Sequence, residues 1–179
     1  MRRIWAFTLT LLLAGCAAEE PEVVEAKEST VTIRSVGDIL VHSDVYTAAR
    51  TDTGFDFSRM FEPVRAYMQD ADITTANMEV PVAGEEFGLS GYPQFNAPPE
   101  IIDALSGAGV DIVNNATNHS MDRGGGGVVA STGNMRDRGM LYAGSFSSTA
   151  DAATPRIIEA NGITVGFLGF TYGTNGLPV

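Results

Sequence analysis

The chain has 179 residues, of which 44% are hydrophobic and 18% charged, and its formal net charge is −11 at pH 7. This composition is typical of one packed globular domain and excludes a disordered chain. The acidic excess argues against a non-specific nucleic-acid binder, because phosphate backbones need a basic protein face.

The N-terminus has the features of a secretory signal. Arg2 and Arg3 precede an apolar run over residues 4–15, which ends in "LAGC" with Cys16, the only cysteine. The run is shorter than the ~20 apolar residues of a membrane-spanning helix. "LAGC" resembles the bacterial lipobox, so we predict a lipoprotein signal peptide over residues 1–15 and a lipid on Cys16. An ordinary signal peptide with a coincidental cysteine is the alternative.

Residues 16–30 are acidic and lack aromatic side chains. They are predicted to be a flexible tether between the lipid and the folded domain. The protein is therefore expected to be lipid-anchored and extracytoplasmic, in the periplasm or at the cell surface.

The folded domain is predicted over residues 31–179. Apolar–polar alternation and helical spacing predict, in order, a strand in 31–42, a helix over 56–69 capped by Asp56, a strand in 71–81, a long loop over 83–98, a helix over 98–109, a strand in 110–116, a helix over 126–139, a short strand in 140–144 and a hairpin over 156–171. The predicted inner face of the third helix contains Val128, Val129, Thr132 and Met135, and the Asn161-Gly162 pair predicts a type I′ turn. The alternation indicates an α/β fold with a mostly parallel sheet and a C-terminal hairpin.

Three of the predicted strands end in polar clusters, which are Asp38 with His42, Asn77 with Glu79, and Asn118 with His119. Each cluster alone is readily explained as helix caps or surface residues. Ligands in α/β sheets bind beyond the carboxyl ends of strands, and these clusters converge there. Carboxylate, amide and imidazole groups together suit one or two divalent ions such as Mn²⁺, Fe²⁺ or Zn²⁺. Two ions ~3.5–4 Å apart would polarise a phosphoryl group and activate water.

Glycines 124–127 follow the third cluster. Glycines permit close backbone approach, and N–H groups at a helix start favour an anion. An anionic group is therefore expected near the cation.

Four stretches carry a resemblance to a known family: "VGDILVH", "ANMEVPV", residues 95–131, and "GFLGFTYGTNG". Together they resemble the bacterial CapA family of capsule or poly-γ-glutamate synthesis proteins, over about residues 31–179. The resemblance implies a calcineurin-like metallophosphoesterase fold, a β-sandwich flanked by helices. It implies metal ligands at Asp38, His42, Asn77, Glu79 and Asn118. It also implies that His119 acts as the acid for the leaving group.

The chain departs from the metallophosphoesterase pattern in three ways. Asp38 and His42 are separated by three residues rather than one, and Glu79 replaces the usual aspartate. The family pattern also continues into further histidine motifs, so the chain is expected to be an N-terminal portion that lacks the full site. A chain that forms only half of the two-sheet sandwich would leave apolar surface exposed to solvent.

Three functions follow as hypotheses. The first is a lipid-anchored, metal-dependent phosphoesterase-like hydrolase in capsule polymer synthesis or export. The second is a non-catalytic capsule assembly factor that retains the fold to bind polymer or synthase subunits. The third is a surface α/β domain whose polar strand ends only cap helices. The expected partners are the membrane, capsule polymer synthase subunits, and an anionic polymer or phosphoester substrate, with no nucleic acid.

Overall fold

The computed structural model describes residues 28–179. The signal peptide over 1–15, the lipidated Cys16 and most of the tether lie outside the described residues, and these remain predictions. Within residues 28–179 no helix is long and apolar enough to cross a membrane.

The chain contains six helices and eight strands within the described residues. They are β1 (Ile33–Ile39), α1 (Ser43–Ala48), β2 (Arg50–Thr51), β3 (Gly54–Phe55), α2 (Ser58–Phe61), α3 (Arg65–Gln69), β4 (Ile73–Met78), α4 (Glu100–Ala108), β5 (Ile112–Asn114), α5 (Gly124–Asp137), β6 (Leu141–Ala143), α6 (Thr149–Ala152), β7 (Arg156–Ala160) and β8 (Ile163–Phe167). A 3-10 turn over Glu85–Phe87 lies in the long loop.

A four-stranded sheet in the order β1-β4-β5-β6 is the centre of the fold. All three strand pairings are parallel. Parallel strands need crossover connections, and α4 and α5 provide them between β4, β5 and β6. The prediction of an α/β fold with a mostly parallel sheet is confirmed. One consequence is that all four strands end at the same edge, which we call the carboxyl edge.

The core packs α4 against the sheet. Ile101, Ile102 and Leu105 on this helix are each at most 2% exposed, and they pack in one cluster with Val113 of β5. Burying one such side chain is worth about 1.5–3 kcal/mol. Gly109 ends the helix at φ 107°, a conformation that side chains with a Cβ avoid. Truncating Leu105 to alanine would cost about 2–5 kcal/mol by leaving a cavity.

Two details of the helices differ from the predictions. The single helix predicted over 56–69 is two short helices, α2 and α3, because Pro63 lacks an N–H group and interrupts the ladder. Asp56 nevertheless accepts a 2.8 Å hydrogen bond from the Ser58 N–H group. Val129 was wrongly assigned to the inner face of α5, since it is 52% exposed. The short elements α1, β2, β3 and α6 were not predicted.

The C-terminal hairpin is confirmed. Strands β7 and β8 pair antiparallel, and the turn between them has Asn161 at φ 51° and Gly162 at φ 77°. Both residues have positive φ, as a type I′ turn requires. The β-sandwich implied by the resemblance stays a prediction; the described residues show the parallel sheet and this hairpin as separate sheets.

A polar cluster ties the hairpin to the sheet, and we call it the hairpin clasp: Tyr142, Ser147, Asp151 and Arg156. The Arg156 guanidinium donates to Asp151 and lies 4.9 Å from the centre of the Tyr142 ring. Asp151 also accepts from the Tyr142 hydroxyl at 2.8 Å and from the Ser147 N–H group at 2.9 Å. Burial opposes ionisation of Asp151, but these hydrogen bonds outweigh it and lower its pKa to about 2.

Candidate functional site

The register of the sheet brings three polar side chains into a row at the carboxyl edge. Asp38 of β1 lies opposite Asn77 of β4, and Asn77 lies opposite Asn114 of β5. One extra residue on β1 between Ser35 and Asp38 forms a bulge. The bulge shifts the register so that Asp38, rather than Gly37, faces Asn77.

Asn77 is the centre of this row. Its Nδ2 donates to Asp38 Oδ1 at 2.8 Å and to Glu79 Oε2 at 2.6 Å. Its Oδ1 accepts from Asn114 Nδ2 at 2.5 Å. Asn114 therefore fixes which end of the Asn77 amide faces the two carboxylates. We call Asp38, Asn77, Glu79 and Asn114 the strand-end network.

Glu79 is half-buried just beyond the end of β4. Its pKa is raised, first by burial and then by the negative charges of Asp38 and Asp122, whereas the Asn77 hydrogen bond and the charge of His119 act in the opposite direction. Glu79 thus lies within electrostatic reach of both the first and the third predicted clusters. In residues 28–179, no arginine or lysine nitrogen lies within 4.0 Å of the carboxylates of Asp38, Glu79 or Asp122.

The loop after β5 is attached to the end of β4. The Thr117 hydroxyl donates to the Glu79 carbonyl at 2.7 Å and accepts from the His119 N–H group at 3.1 Å. The Ser120 hydroxyl closes the turn by donating to the Asn115 carbonyl at 2.8 Å. These bonds hold His119 beside Glu79, although 40 residues separate them in the sequence.

His119 and Asp122 form a buried pair. His119 Nδ1 lies 2.7 Å from Asp122 Oδ2, and the Asp122 side chain is only 1% exposed. The same carboxylate oxygen accepts from the Phe95 N–H group at 2.7 Å, while Asp122 Oδ1 is buried without a hydrogen-bond partner. Because a carboxylate can only accept, Nδ1–H donates to Asp122, and Nε2 is the acceptor nitrogen of neutral His119.

Asp122 was not predicted as a site residue. Its spacing of three residues after His119 in a turn is the signal that would have suggested the pair. Its contact with Phe95, 27 residues earlier, had no signal in the sequence.

An open pocket of about 420 Å³ adjoins this pair. It is lined by Tyr92, Pro93, Gln94, Asn118, His119, Asp122, Asn175 and Leu177. The lining therefore combines amides and one imidazole with a few apolar side chains.

The remaining predicted ligands, His42 and Asn118, lie outside the strand-end network, and of the two only Asn118 lines this pocket. His42 is exposed, and its ring lies edge-on to Phe95 with the ring centres 4.9 Å apart. The His119 ring contacts the same phenylalanine at 4.7 Å. Asn118 is exposed and donates to Asn175 Oδ1 at 3.2 Å. Asn175, which was not predicted, is 57 residues away in the sequence and could not have been found by spacing.

The glycine run forms the first turn of α5. Gly126 lies against the Phe87 ring, and Gly127 lies so close to the Arg123 side chain that a Cβ would overlap it. The contact with Arg123 explains Gly127, whereas a Cβ at Gly126 would make only an ordinary contact with Phe87. None of the four glycines lines the pocket beside His119. The anion expected near these glycines stays a prediction.

Whether these residues suit a metal ion depends on how many are close together. In residues 28–179, no group of three or more His, Cys, Asp or Glu side chains is close enough to hold one. The Asp38 and Glu79 carboxylates are held near each other by hydrogen bonds from the same Asn77 amide. Two carboxylates suit a single Mg²⁺- or Mn²⁺-like ion that retains water ligands. Zinc, whose catalytic sites use three protein ligands, would need one ligand more than these two carboxylates.

The fold and site define an α/β protein with acidic, amide and imidazole groups at the carboxyl edge of a parallel sheet. The family model described as "Bacterial capsule synthesis protein PGA_cap" matches residues 32–178. The chain belongs to this capsule synthesis family.

Curated relatives agree with the family. The capsule biosynthesis protein CapA of Bacillus anthracis is 26% identical over 171 residues, which are 90% of this chain and 40% of the relative. The PGA biosynthesis protein CapA of Bacillus subtilis is 25% identical over 171 residues, covering 94% of this chain and 44% of the relative. An uncharacterised protein of Sinorhizobium fredii, y4sH, is 30% identical over 135 residues, 72% of this chain and 27% of the relative. The chain thus spans less than half the length of these relatives.

Proposed function

We propose that this protein takes part in the synthesis or export of a capsule polymer of the poly-γ-glutamate type. Membership of the capsule synthesis family supports this role. The names of the two Bacillus relatives, which refer to capsule and PGA biosynthesis, support it further.

Within that role, the carboxyl edge is proposed to be a divalent-metal-dependent phosphoesterase-type site. The observation that carries this proposal is the surroundings of Glu79: it shares the Asn77 amide with Asp38 and is within electrostatic reach of His119. Asp38 and Glu79 would hold the ion, and Asn118 and His42 remain predicted further ligands. Asn77, the fifth predicted ligand, would have to turn its amide over to join them, because its oxygen accepts from Asn114. A bound divalent ion would supply charge to polarise a phosphoryl oxygen.

The residues of the chain itself account for the proton transfer. Asp122 holds Nδ1 of His119, so Nε2 is the nitrogen that carries or releases a proton at the pocket. This arrangement suits the predicted role of His119 as the acid for the leaving group.

Manganese titration and hydrolysis of bis(p-nitrophenyl) phosphate test this proposal. Glu79→Gln is expected to abolish saturable Mn²⁺ binding, because it removes one of two carboxylates. His119→Asn is expected to keep Mn²⁺ binding but lower the hydrolysis rate by about 10²-fold or more. Glu86→Gln, at an exposed glutamate of the long loop, is the matched control. Equal Mn²⁺ binding by wild type and Glu79→Gln would contradict the metal site.

A non-catalytic capsule assembly factor is the second candidate, and one observation favours it. Asn77 already donates to both carboxylates, so they are paired without a cation. In this case the domain would bind polymer or synthase subunits. Polymer production in cells that carry Glu79→Gln separates the candidates: unchanged production with the variant folded favours assembly, and lost production favours hydrolysis.

The protein is further proposed to be attached to the membrane through a lipid on Cys16. The basic residues, short apolar run and "LAGC" sequence support this. Replacement Cys16→Ser should move the protein from the membrane fraction to the soluble fraction. A variant that remains in the membrane fraction would contradict the anchor.

A further inference from the structure

The chain after β8 returns across the carboxyl edge. At Gly169 it lies against the side chain of Asn114 and the main chain of Ala143, at the ends of β5 and β6. A Cβ on residue 169 would stand 2.5 Å from the Ala143 carbonyl oxygen, so only glycine permits this approach. The residues that follow are thereby brought to the site.

Asn175 lies at the far end of this segment. Its φ of 54° is left-handed, and its turn is closed by the Leu177 N–H group, which donates to the Thr174 carbonyl at 2.9 Å. Asn175 Oδ1 accepts from Asn118 Nδ2 at 3.2 Å, and Asn175 Nδ2 lies 3.5 Å from His119 Nδ1. Asn175 and Leu177 line the same pocket as His119.

We propose that Asn175 is a positioning residue for Asn118. An asparagine amide presents either its N–H₂ group or its oxygen, and a neighbour decides which. Because Asn118 Nδ2 donates to Asn175, its Oδ1 is the end left for a cation or a substrate N–H or O–H group. This inference rests on the proposed function, in which Asn118 is a ligand.

In the strand-end network another asparagine pair fixes an amide, but in the opposite orientation. There Asn114 donates to the oxygen of Asn77, so Asn77 presents its N–H₂ group to the carboxylates. The site therefore has one asparagine held as a donor and another held as an acceptor. Two pairs of this kind at one edge would let the site contact groups of opposite charge.

The first test is the exchange of the Asn118 side-chain amide protons, followed by NMR on the ¹⁵N-labelled full chain. Asn175→Gly keeps the left-handed backbone and removes the amide, so exchange should accelerate about fivefold, the factor of one ordinary hydrogen bond. Asn175→Asp retains an acceptor oxygen and should keep the wild-type rate. Unchanged exchange in Asn175→Gly would overturn the inference.

A remote pair of variants checks the same point. Gly169→Ala is expected to displace the segment and to accelerate Asn118 exchange as Asn175→Gly does. Gly173→Ala is the matched control, because no atom lies within 4 Å of a Cβ built there. Equal behaviour of the two alanine variants would show that the segment does not deliver Asn175, against the inference.

The second test is functional. Asn175→Gly should weaken Mn²⁺ binding about 10-fold or more, as loss of a residue that orients a ligand does, and Asn175→Asp should restore most of it. Unchanged Mn²⁺ affinity, with accelerated exchange, would overturn the functional role of Asn175. If wild type does not bind Mn²⁺, the proposed metal site fails, while the exchange experiment still decides whether Asn175 holds Asn118.

Discussion

Asp151 and Glu79 are both carboxylates near the sheet, and their surroundings are opposite. Asp151 in the hairpin clasp has a guanidinium, a phenol, a serine hydroxyl and one main-chain N–H group around it, and its pKa is lowered to about 2. Glu79 has one amide donor and two neighbouring carboxylates, and its pKa is raised, chiefly by burial. Asp151 is paired with a guanidinium, whereas in residues 28–179 no arginine nitrogen lies within 4.0 Å of the Glu79 carboxylate. This contrast is a physical reason to place function at Glu79 and structure at Asp151.

The largest expected effect on the free energy of unfolding is in the hairpin clasp. Arg156→Met should lower the free energy of unfolding by about 3 kcal/mol, because it leaves the Asp151 carboxylate without its closest cation. Urea denaturation followed by circular dichroism measures this. Arg65→Met, which breaks the exposed pair with Glu62, should cost less than about 1 kcal/mol. Similar losses in the two variants would remove the structural role of the clasp.

Asp122 is expected to show the next largest effect. Asp122→Ala should lower the free energy of unfolding by about 1–3 kcal/mol, because the Phe95 N–H group and His119 Nδ1 lose their buried acceptor. The same urea experiment on Asp137→Ala, at an exposed aspartate of α5, is the control. An Asp122→Ala variant with the same free energy of unfolding as wild type would show that the pair is not buried as described.

Acidification tests the low pKa of Asp151. A carboxylate with a lowered pKa stabilises the fold above its ordinary value of 3.8, and that contribution is lost as the pH falls through about 2. The loss between these pH values should be about 1–2 kcal/mol in wild type and should be absent in Asp151→Asn. Parallel pH curves for the two proteins would contradict the assignment.

Glu79 should show the smallest effect on stability, and with the opposite sign. Because its pKa is raised in the folded state, ionised Glu79 disfavours folding at neutral pH. Glu79→Gln should therefore be slightly more stable than wild type at pH 7, with EDTA present to exclude metal ions. The difference should shrink as the pH falls through the pKa of Glu79. A less stable variant at pH 7 would remove the contrast with Asp151.

Local pattern was sufficient for the sheet and for part of the site. The alternation in β1, the polar ends of β4 and β5, and the Asn161-Gly162 turn are all short-range features, and they predicted the parallel sheet and the hairpin. Since parallel strands share a carboxyl edge, the same pattern put Asp38, Asn77 and Glu79 together.

Contacts between distant loops could not be predicted from the local sequence pattern. Asp122 meets Phe95, and Asn118 meets Asn175, because of the paths of the loop over 83–98 and of the segment after β8. Neither segment has a periodic spacing of apolar residues from which its path could be predicted. Pro63 was a local signal for a break in the helix, but the helical spacing of apolar residues in 56–69 favoured one continuous helix.

The bond between Asp122 and the Phe95 main chain limits how the long loop can change. Asn96, fully buried, accepts from the Ala83 N–H group at 2.9 Å and donates to the Gly84 carbonyl at 2.8 Å, which fixes the start of the loop to its end. Insertions within Glu85–Phe87 would extend the exposed part of the loop and leave these bonds intact. Insertions between Gln94 and Asn96 would move the Phe95 N–H group, which shares the Asp122 acceptor with His119, so this loop has more capacity for variation at Glu85–Phe87 than next to Phe95.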